Sequence, residues 1–202
     1  MKIFGLVGYP LSHSFSVKYF SEKFVKEKIA DCRYQNFSIE KIEMFPDIIK
    51  NTEGLSGLNV TIPYKEKVIP FLDELDDAVR EIRAVNTVKF IRKDNRLILK
   101  GYNTDVFGFG ESLKPLLKPY HTKALILGTG GASKAIKYVL KQLGIQYVSA
   151  SIEDLKENEI RYEQIDKKMI EERLLIIHCT PLGTHPNVSS YPTIPYNYLT
   201  AN

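Results

Sequence analysis

The sequence predicts an α/β fold with mainly parallel sheets, divided into two domains. Short apolar runs of strand length alternate along the chain with apolar residues at helical spacing, which is typical of α/β proteins. With 202 residues, 44% of them hydrophobic, the chain can bury one large core or two small ones. A polar, glycine-containing stretch near residues 102–110 separates two alternating regions, so we expect domains over residues 1–104 and 105–202.

The first region begins with a strand from Ile3 to Val7, which the turn Gly8-Tyr9-Pro10 ends. Apolar residues then follow at helical spacing, behind serines that are candidate helix caps. Leu58 to Ile62 alternates apolar and polar residues and predicts a strand with one polar face. A second helical stripe precedes two strand-like runs, residues 85–91 and 97–100, which flank the predicted hairpin turn Lys93-Asp94-Asn95-Arg96.

The second region opens on a strand, Ala124 to Leu127, that runs directly into a glycine-rich turn. Apolar residues at helical spacing follow, Gly144 supplies a stop, and Ile145 to Ser149 predicts the next strand. In such a compact βαβ unit, backbone N–H groups and the helix dipole hold a dinucleotide pyrophosphate. A glycine-rich turn with no ligand is the alternative. The candidate cofactor-binding residues are Gly128, Thr129, Gly130, Gly131 and Ala132.

The end of the second strand in a βαβ unit distinguishes the two nicotinamide cofactors. An acidic residue there binds the ribose 2′-hydroxyl of NAD, whereas an arginine accommodates the 2′-phosphate of NADP. This chain has Ser149-Ala150-Ser151, which offers neither, and its nearest charges are Glu153, Asp154 and Lys156. From these residues alone, the choice between NADP and NAD stays open.

Candidate ligand-binding residues of the first region follow its polar-faced strand. Asn59 and Thr61 are two residues apart, so both side chains leave the same face of the predicted strand. Pro63 is well suited to open a helix, which would place Lys65 in the first turn of that helix. A partly desolvated amine at the carboxyl end of a strand is a candidate proton donor, and a solvent-exposed lysine is the alternative.

Three further polar positions each allow a structural and a functional interpretation. Asp105 lies at the domain boundary, where it either faces a cleft or caps a helix that begins near Val106. Asn86 either binds a ligand or pairs with backbone. The cluster Ser12-His13-Ser14-Phe15-Ser16 either binds an anion at a helix start or caps that helix, and its histidine is more typical of a structural residue.

Composition narrows the class of partner. A formal net charge of +4 suits a protein that binds anions, but Lys and Arg are scattered and form no run typical of nucleic-acid binding. No apolar stretch approaches the roughly 18 residues of a membrane span, and the N-terminus lacks a secretory-signal pattern. Cys32 and Cys179 match no metal or redox spacing. We expect a cytoplasmic protein with a small-molecule partner, no metal, and a monomeric or homodimeric state.

Five motifs occur in the order and spacing of one enzyme family. They are Gly8-Tyr9-Pro10 with Ser12-His13-Ser14-Phe15-Ser16, Asn59-Val60-Thr61-Ile62-Pro63-Tyr64-Lys65, Ala84-Val85-Asn86-Thr87, Gly101-Tyr102-Asn103-Thr104-Asp105 and Gly128-Thr129-Gly130-Gly131-Ala132. Thr180-Pro181-Leu182-Gly183 is similar to a later cofactor-side loop of the same family. On these residues the chain resembles the shikimate dehydrogenases over nearly its whole length.

The resemblance implies NADPH-dependent reduction of 3-dehydroshikimate to shikimate, a step toward the aromatic amino acids. Carried over by position, it implies that Ser14 and Ser16 bind the substrate carboxylate, and that Lys65 is the acid/base residue, oriented by Asp105. Asp77 matches an acidic position near the cofactor. The residues implied to hold the ring hydroxyls are Asn59, Thr61, Asn86 and Asp105.

The chain also departs from the family pattern. Ala150 and Ser151 stand where the family has an Asn-Arg pair, and His178 and Thr184 replace an Asn and a Met near the nicotinamide. Relative to the family, the sequence ends before a segment with a substrate-contacting Tyr and Gln, so we expect a shortened second domain. Two alternatives follow: a catalytically impaired shikimate-binding relative or remnant, and an NAD-dependent quinate/shikimate dehydrogenase.

Overall fold

The computed structural model describes residues 1–12, 14–94 and 96–200, and the chain forms two compact units, Met1–Thr104 and Asp105–Asn202. Each unit has its own sheet and hydrophobic core. His13 of the serine cluster and Asn95 of the hairpin turn lie outside the described residues. Within the described ranges, no helix combines the length and the apolar character that crossing a bilayer requires.

The first unit contains a mixed six-stranded sheet. Its strands are β1 (Lys2–Gly8), β2 (Cys32–Ser38), β3 (Leu55–Val60), β4 (Glu74–Leu75), β5 (Thr87–Lys93) and β6 (Arg96–Tyr102). Its helices are α1 (Ser16–Lys26), α2 (Phe45–Asn51) and α3 (Asp77–Ile82). The strands lie in the order β2-β1-β3-β5-β6-β4, with the predicted hairpin formed by antiparallel β5 and β6.

The core of the first unit explains why these elements form. Apolar side chains of β1 and β3 alternate into a cluster that includes the fully buried Val7 and Phe45. The predicted helical stripe becomes α3, whose buried face consists of Ala78, Val79 and Ile82. Burying a large side chain such as Phe45 stabilises a fold by about 1.5–3 kcal/mol relative to leaving it exposed. The strands that carry the polar candidates are therefore fixed from the opposite face of the sheet.

The helix predicted after Pro63 does not form. The chain turns irregularly there and makes a short 3-10 helix only at Ile69–Phe71. In an α-helix the Lys65 carbonyl would accept the N–H of Ile69. Instead, that N–H donates to the Glu66 carbonyl at 3.3 Å, while the Lys65 carbonyl accepts the N–H of Val85 at 2.7 Å. A long-range backbone bond therefore fixes Lys65, in place of the predicted helix start.

The second unit is built on a four-stranded parallel sheet in the order β10-β7-β8-β9. Its strands are β7 (Lys123–Leu127), β8 (Gln146–Ser151), β9 (Glu159–Arg161) and β10 (Leu175–His178). Its helices are α4, which runs Thr104–Leu113 from the last residue of the first unit, α5 (Gly131–Gln142) and α6 (Lys167–Glu172). The predicted βαβ unit is confirmed as β7-α5-β8. Within the described residues, six of the eight strand pairings are parallel, in agreement with the predicted fold class.

An ion pair between α5 and β9 fixes the helix that follows the glycine loop. Lys137 Nζ lies 3.0 Å from Glu159 Oε1, and the side chains are only 22% and 6% exposed. Burial alone would raise the pKa of the Glu159 carboxyl. Hydrogen bonds from the Lys137 ammonium and the Lys156 backbone N–H outweigh burial, so the pKa is lowered. The ionised pair therefore stabilises the folded unit.

Replacing Lys137 with Met is expected to lower the free energy of unfolding by about 1–3 kcal/mol at neutral pH, because it leaves a buried carboxylate without its cation. A lowered carboxyl pKa stabilises the fold above the ordinary value of about 4.3, and this stability is lost as pH falls through the folded-state pKa. Urea unfolding at several pH values should show the difference between variant and parent shrinking in acid. Lys114→Met, which breaks an exposed pair with Glu111, should change stability by less than about 1 kcal/mol. Equal effects of both substitutions would contradict this account.

Candidate active site

A chain of hydrogen bonds joins the polar candidates of the first unit. Asn59 lies on β3, and its amide nitrogen donates to the Thr87 hydroxyl at 3.2 Å. That hydroxyl in turn donates to the Asn86 side-chain oxygen at 3.1 Å. The same oxygen accepts the N–H and the hydroxyl of Thr104, at 2.9 Å and 3.1 Å. The network thus ties together three segments of the chain and orients both amides.

The network also limits what each amide can offer a ligand. The oxygen of Asn86 already accepts three hydrogen bonds, so its NH₂ group is the part suited to bind a hydroxyl. Asn86 is 8% exposed, and a buried amide held in one orientation loses little freedom when a ligand binds. Both interpretations of Asn86 from the sequence are therefore compatible: it pairs with backbone at one end and can donate at the other.

Tyr34 completes the network, and no sequence motif identified it. It lies on β2, and its hydroxyl reaches across the intervening strand β1 to donate to Asn59 Oδ1 at 2.9 Å. Its ring stacks on Phe20 of α1, with centroids 4.3 Å apart. Burial raises the pKa of the Tyr34 phenol to about 12, although a side-chain hydrogen bond with Ser16 opposes this. Tyr34 therefore stays protonated and connects Ser16 with Asn59.

We expect Tyr34→Phe to raise the KM for the ligand of this site about threefold to tenfold and to leave kcat within about twofold. The substitution removes one hydrogen bond that orients Asn59, which is worth about 1 kcal/mol. Steady-state kinetics would measure both parameters. Tyr19→Phe removes an exposed hydroxyl of α1 (the residue is 58% exposed) and should change neither. A fall in kcat at unchanged KM would contradict a positioning role for Tyr34.

The serine candidates lie where α1 begins. The Ser14 hydroxyl accepts the N–H of Ser16 at 3.3 Å, so Ser14 contributes to the start of this helix. Ser16 is the first residue of α1, and the helix cap position itself belongs to Phe15 without a side-chain hydrogen bond. Both serines are half-buried. Two hydroxyls at a helix N-terminus are suited to bind a carboxylate, because the helix dipole also favours negative charge there.

Thr61 and Lys65 follow β3 in chain order. The strand ends at Val60, so Thr61, which the predicted strand included, lies one residue beyond β3, although its N–H still donates to the Val7 carbonyl at 2.9 Å. Lys65 is half-buried and held by the bond from Val85 described above. Since Val85 adjoins Asn86, this bond connects the segment of the lysine to the segment of the amide network.

The two acidic candidates lie in the first turns of helices. Asp105 is the second residue of α4 and directly follows Thr104, which binds Asn86. The helix begins at Thr104, so Asp105 lies within its first turn and not at the cap position that one of the two interpretations gave it. Asp77 is the first residue of α3, is fully exposed, and lies 3.7 Å from Arg80. A role for Asp77 in cofactor binding stays a prediction.

The glycine loop of the second unit borders a cavity of about 860 Å³ at the carboxyl ends of the strands. Gly128 has φ of +103°, and a Cβ there would lie 2.8 Å from Thr180 Cγ2, so only glycine fits without strain. A Cβ at Gly130 or Gly131 would meet no described protein atom within 4 Å. The loop thus leaves space for a ligand in front of the start of α5. The hydroxyl of the fully buried Ser133 donates to the Gly130 carbonyl at 2.7 Å, which closes the turn.

The residues around this cavity fit a dinucleotide. Gly128, Thr129 and Gly130 line one side, and Thr180 to Leu182, which follow β10, line another. An open helix start suits a pyrophosphate, and the mainly apolar remainder of the lining suits the flat faces of an adenine or nicotinamide ring. Ala132, one residue into α5, is exposed. All five glycine-loop candidates therefore lie at one helix start.

Comparison with known proteins decides the family. A family model described as the shikimate dehydrogenase substrate-binding domain matches residues 6–88. The NADP(+) shikimate dehydrogenase of Methanosphaera stadtmanae is 37% identical over 95% of this chain and 72% of its own length. The chain belongs to the shikimate dehydrogenase family. The resemblance read from the motifs is thereby confirmed.

Further relatives extend the match through both units. The NADP(+) shikimate dehydrogenase of Clostridium beijerinckii is also 37% identical over 95% of this chain and 72% of its own length. Among solved structures, shikimate dehydrogenase 1 from Peptoclostridium difficile is 36% identical, with a TM-score of 0.76 over 96% of this chain and 72% of that one. The Thermus thermophilus enzyme, solved with NADP(H) and shikimate, is 27% identical, with a TM-score of 0.78 over 98% and 75%. The fold class predicted from sequence is that of shikimate dehydrogenases.

Proposed function

We propose that this chain catalyses the NADP-dependent interconversion of 3-dehydroshikimate and shikimate, in the direction of shikimate during aromatic amino acid biosynthesis. The observation that carries the proposal is family membership across nearly the whole chain. Relatives 34–37% identical over at least 95% of it are NADP(+) shikimate dehydrogenases. The hydrogen-bonded amide network supplies the polar groups that a polyhydroxylated acid needs.

Substrate recognition is assigned to the first unit. Ser14 and Ser16 at the start of α1 bind the carboxylate, since hydroxyl donors and the helix dipole both favour an anion. Asn59, Thr61 and Asn86 bind the ring hydroxyls. The amides of Asn59 and Asn86 are already oriented by Tyr34, Thr87 and Thr104, so binding does not require these two side chains to be reordered.

Proton transfer is assigned to Lys65. A ketone that gains a hydride becomes an alkoxide, which requires a proton and is stabilised by a nearby positive charge. An ammonium group supplies both, and Lys65 is held in place through its backbone. Asp105, which directly follows Thr104 of the amide network, is the second proposed catalytic residue. In the reverse direction the same amine accepts the proton of the shikimate hydroxyl.

The cofactor is assigned to the glycine loop. Gly128, Thr129, Gly130, Gly131 and Ala132 hold the pyrophosphate of NADP at the start of α5, where the absence of side chains lets backbone N–H groups approach it. When bound, NADPH supplies the hydride. Asp77 is a further cofactor-side candidate. The chain itself binds and orients the two ligands and moves the proton at the substrate oxygen.

Calorimetric titration of the whole chain with shikimate, quinate, NADP⁺ and NAD⁺ tests the assignment of both ligands. We expect shikimate and NADP⁺ each to bind with a one-to-one ratio, and quinate to bind more weakly than shikimate. Binding of neither shikimate nor NADP⁺ would overturn the proposal. Preference for quinate together with NAD⁺ would instead support the quinate dehydrogenase alternative.

The proposed reaction also indicates where and with what the chain acts. NADPH is held inside cells and the two cysteines form no disulfide within the described residues, so we place the protein in the cytoplasm. Its partners are the substrate and the cofactor, without nucleic acid, since its cations are scattered. We assign a monomer or a homodimer, and light scattering after size-exclusion chromatography would distinguish the two.

A further inference from the structure

The strand that flanks β8 carries a cation at the position where the cofactor ribose is recognised. In βαβ dinucleotide sites the end of the second strand contacts the ribose, and an arginine there accommodates a 2′-phosphate. Here that strand is β8, and it ends in Ser151, which carries no charge. In the parallel register of β8 and β9, Ser151 is paired with Arg161. The missing charge at the end of one strand is therefore present on its neighbour.

The direction of the Arg161 side chain follows from this register. Paired residues of neighbouring strands leave the same face of a sheet. The Ser151 hydroxyl lies 3.3 Å from the Thr129 hydroxyl, so this face is the one on which the glycine loop lies. Arg161 and the glycine loop line the same cavity. The guanidinium thus belongs to the cofactor cavity and not to the opposite face of the sheet.

One hydrogen bond fixes the guanidinium at the cavity wall. Arg161 Nη1 donates to the backbone carbonyl of Glu153 at 2.6 Å, and the N–H of Glu153 donates to the Ser151 hydroxyl at 3.1 Å. These bonds hold the loop after β8 between the two strand ends. A guanidinium has several N–H groups in one plane, so one bond to a carbonyl leaves others for the oxygens of a phosphate.

The other charges around the cavity explain why the Arg161 cation matters for the choice between NADP and NAD. Two exposed carboxylates, Glu153 and Glu163, also line it. Without Arg161 these groups would repel a 2′-phosphate and could accept a hydrogen bond from a ribose 2′-hydroxyl, as NAD-binding sites do. With Arg161 present, the cavity offers a 2′-phosphate a guanidinium whose remaining N–H groups are suited to bidentate binding. The balance between NADP and NAD therefore depends on one side chain.

We propose that Arg161, reaching from β9 beside the end of β8, is the specificity-determining residue that binds the 2′-phosphate of NADP in this chain. The inference rests on the proposed function, because it takes the cavity beside the glycine loop as the cofactor site. It explains how NADP is recognised although Ser149-Ala150-Ser151 carries no charge.

Calorimetric titration with NADP⁺ and with NAD⁺ tests the assignment independently of turnover. In Arg161→Gln we expect the Kd for NADP⁺ to rise about tenfold to a hundredfold, the usual effect of losing a charge-assisted pair, and the Kd for NAD⁺ to change less than about threefold. Arg161→Lys keeps the charge but loses the planar guanidinium. Its Kd for NADP⁺ should therefore lie between those of the parent and of Arg161→Gln. Lys156→Gln removes an equal charge at a described residue that does not line the cavity. It should therefore change the Kd of neither dinucleotide.

The outcomes separate the inference from the function on which it rests. A parent chain that binds neither dinucleotide would overturn both. A parent chain that prefers NADP⁺, with the preference unchanged in Arg161→Gln, would overturn the role of Arg161 alone. Equal weakening of NADP⁺ and NAD⁺ in Arg161→Gln would show that Arg161 only holds the loop at Glu153, which also contradicts the assignment.

Discussion

Replacing Lys65 with Ala is expected to reduce kcat for shikimate oxidation by about two to four orders of magnitude, since general acid–base catalysis contributes that much. This corresponds to about 3–5 kcal/mol of the activation barrier. The KM for shikimate should change less, by under about tenfold, because the serines and amides that bind the substrate remain. Steady-state kinetics with saturating NADP⁺ would measure both parameters.

A matched control is available two positions away. Lys67 is exposed and belongs to the same turn, so Lys67→Ala removes an equal charge and should leave kcat within about twofold. Circular dichroism of both variants would show whether the turn after β3 keeps its fold. An unchanged kcat in Lys65→Ala would remove this lysine from the mechanism, whatever the effect on KM.

A substitution in the glycine loop should give a second large effect, because it should weaken cofactor binding without lowering the stability of the fold. Gly130→Ala places a methyl group in the open space before α5, where no described protein atom lies within 4 Å. We expect its melting temperature to stay within about 2 °C of the parent and its Kd for NADP⁺ to rise at least about thirtyfold, because the methyl group occupies the space of the pyrophosphate. Calorimetry and thermal unfolding would provide the two values.

Gly128→Ala is the comparison that isolates backbone strain. This residue has φ of +103°, and its new Cβ would lie 2.8 Å from Thr180 Cγ2. We expect a loss of about 1–3 kcal/mol in the free energy of unfolding together with weaker NADP⁺ binding. If Gly130→Ala bound NADP⁺ as tightly as the parent, the pyrophosphate would have to lie elsewhere and the cofactor assignment would be wrong.

Local patterns in the sequence predicted most elements of the fold. The run Ala124 to Leu127, the glycines and the helical spacing after them became β7, the loop and α5, because each is specified by neighbouring residues. The hairpin of β5 and β6 followed likewise from two strand-like runs around a turn. The prediction of a helix after Pro63 was wrong because the Lys65 carbonyl accepts the N–H of Val85. Val85 is distant in sequence, and no local pattern reveals this bond.

The site divides in the same way. Motifs identified the candidates Asn59, Asn86 and Lys65, since their spacing resembles that of a family. The motifs did not identify Tyr34 and Arg161, because the positions of these two residues depend on strand register. Tyr34 acts across β1 on a residue of β3, and Arg161 is brought beside Ser151 by the pairing of β8 and β9. Contacts of this kind are determined by the assembled sheet and have no signature along the chain.

An absorbance assay of shikimate oxidation, followed at the reduced-nicotinamide band, tests the central claim most directly. The whole chain would be incubated with shikimate and NADP⁺, and the assay repeated with NAD⁺ and with quinate. We expect turnover that requires both shikimate and NADP⁺, is slower with either replacement, and is lost in Lys65→Ala. Binding of shikimate and NADP⁺ without turnover in any combination would contradict the claim that this chain is a dehydrogenase.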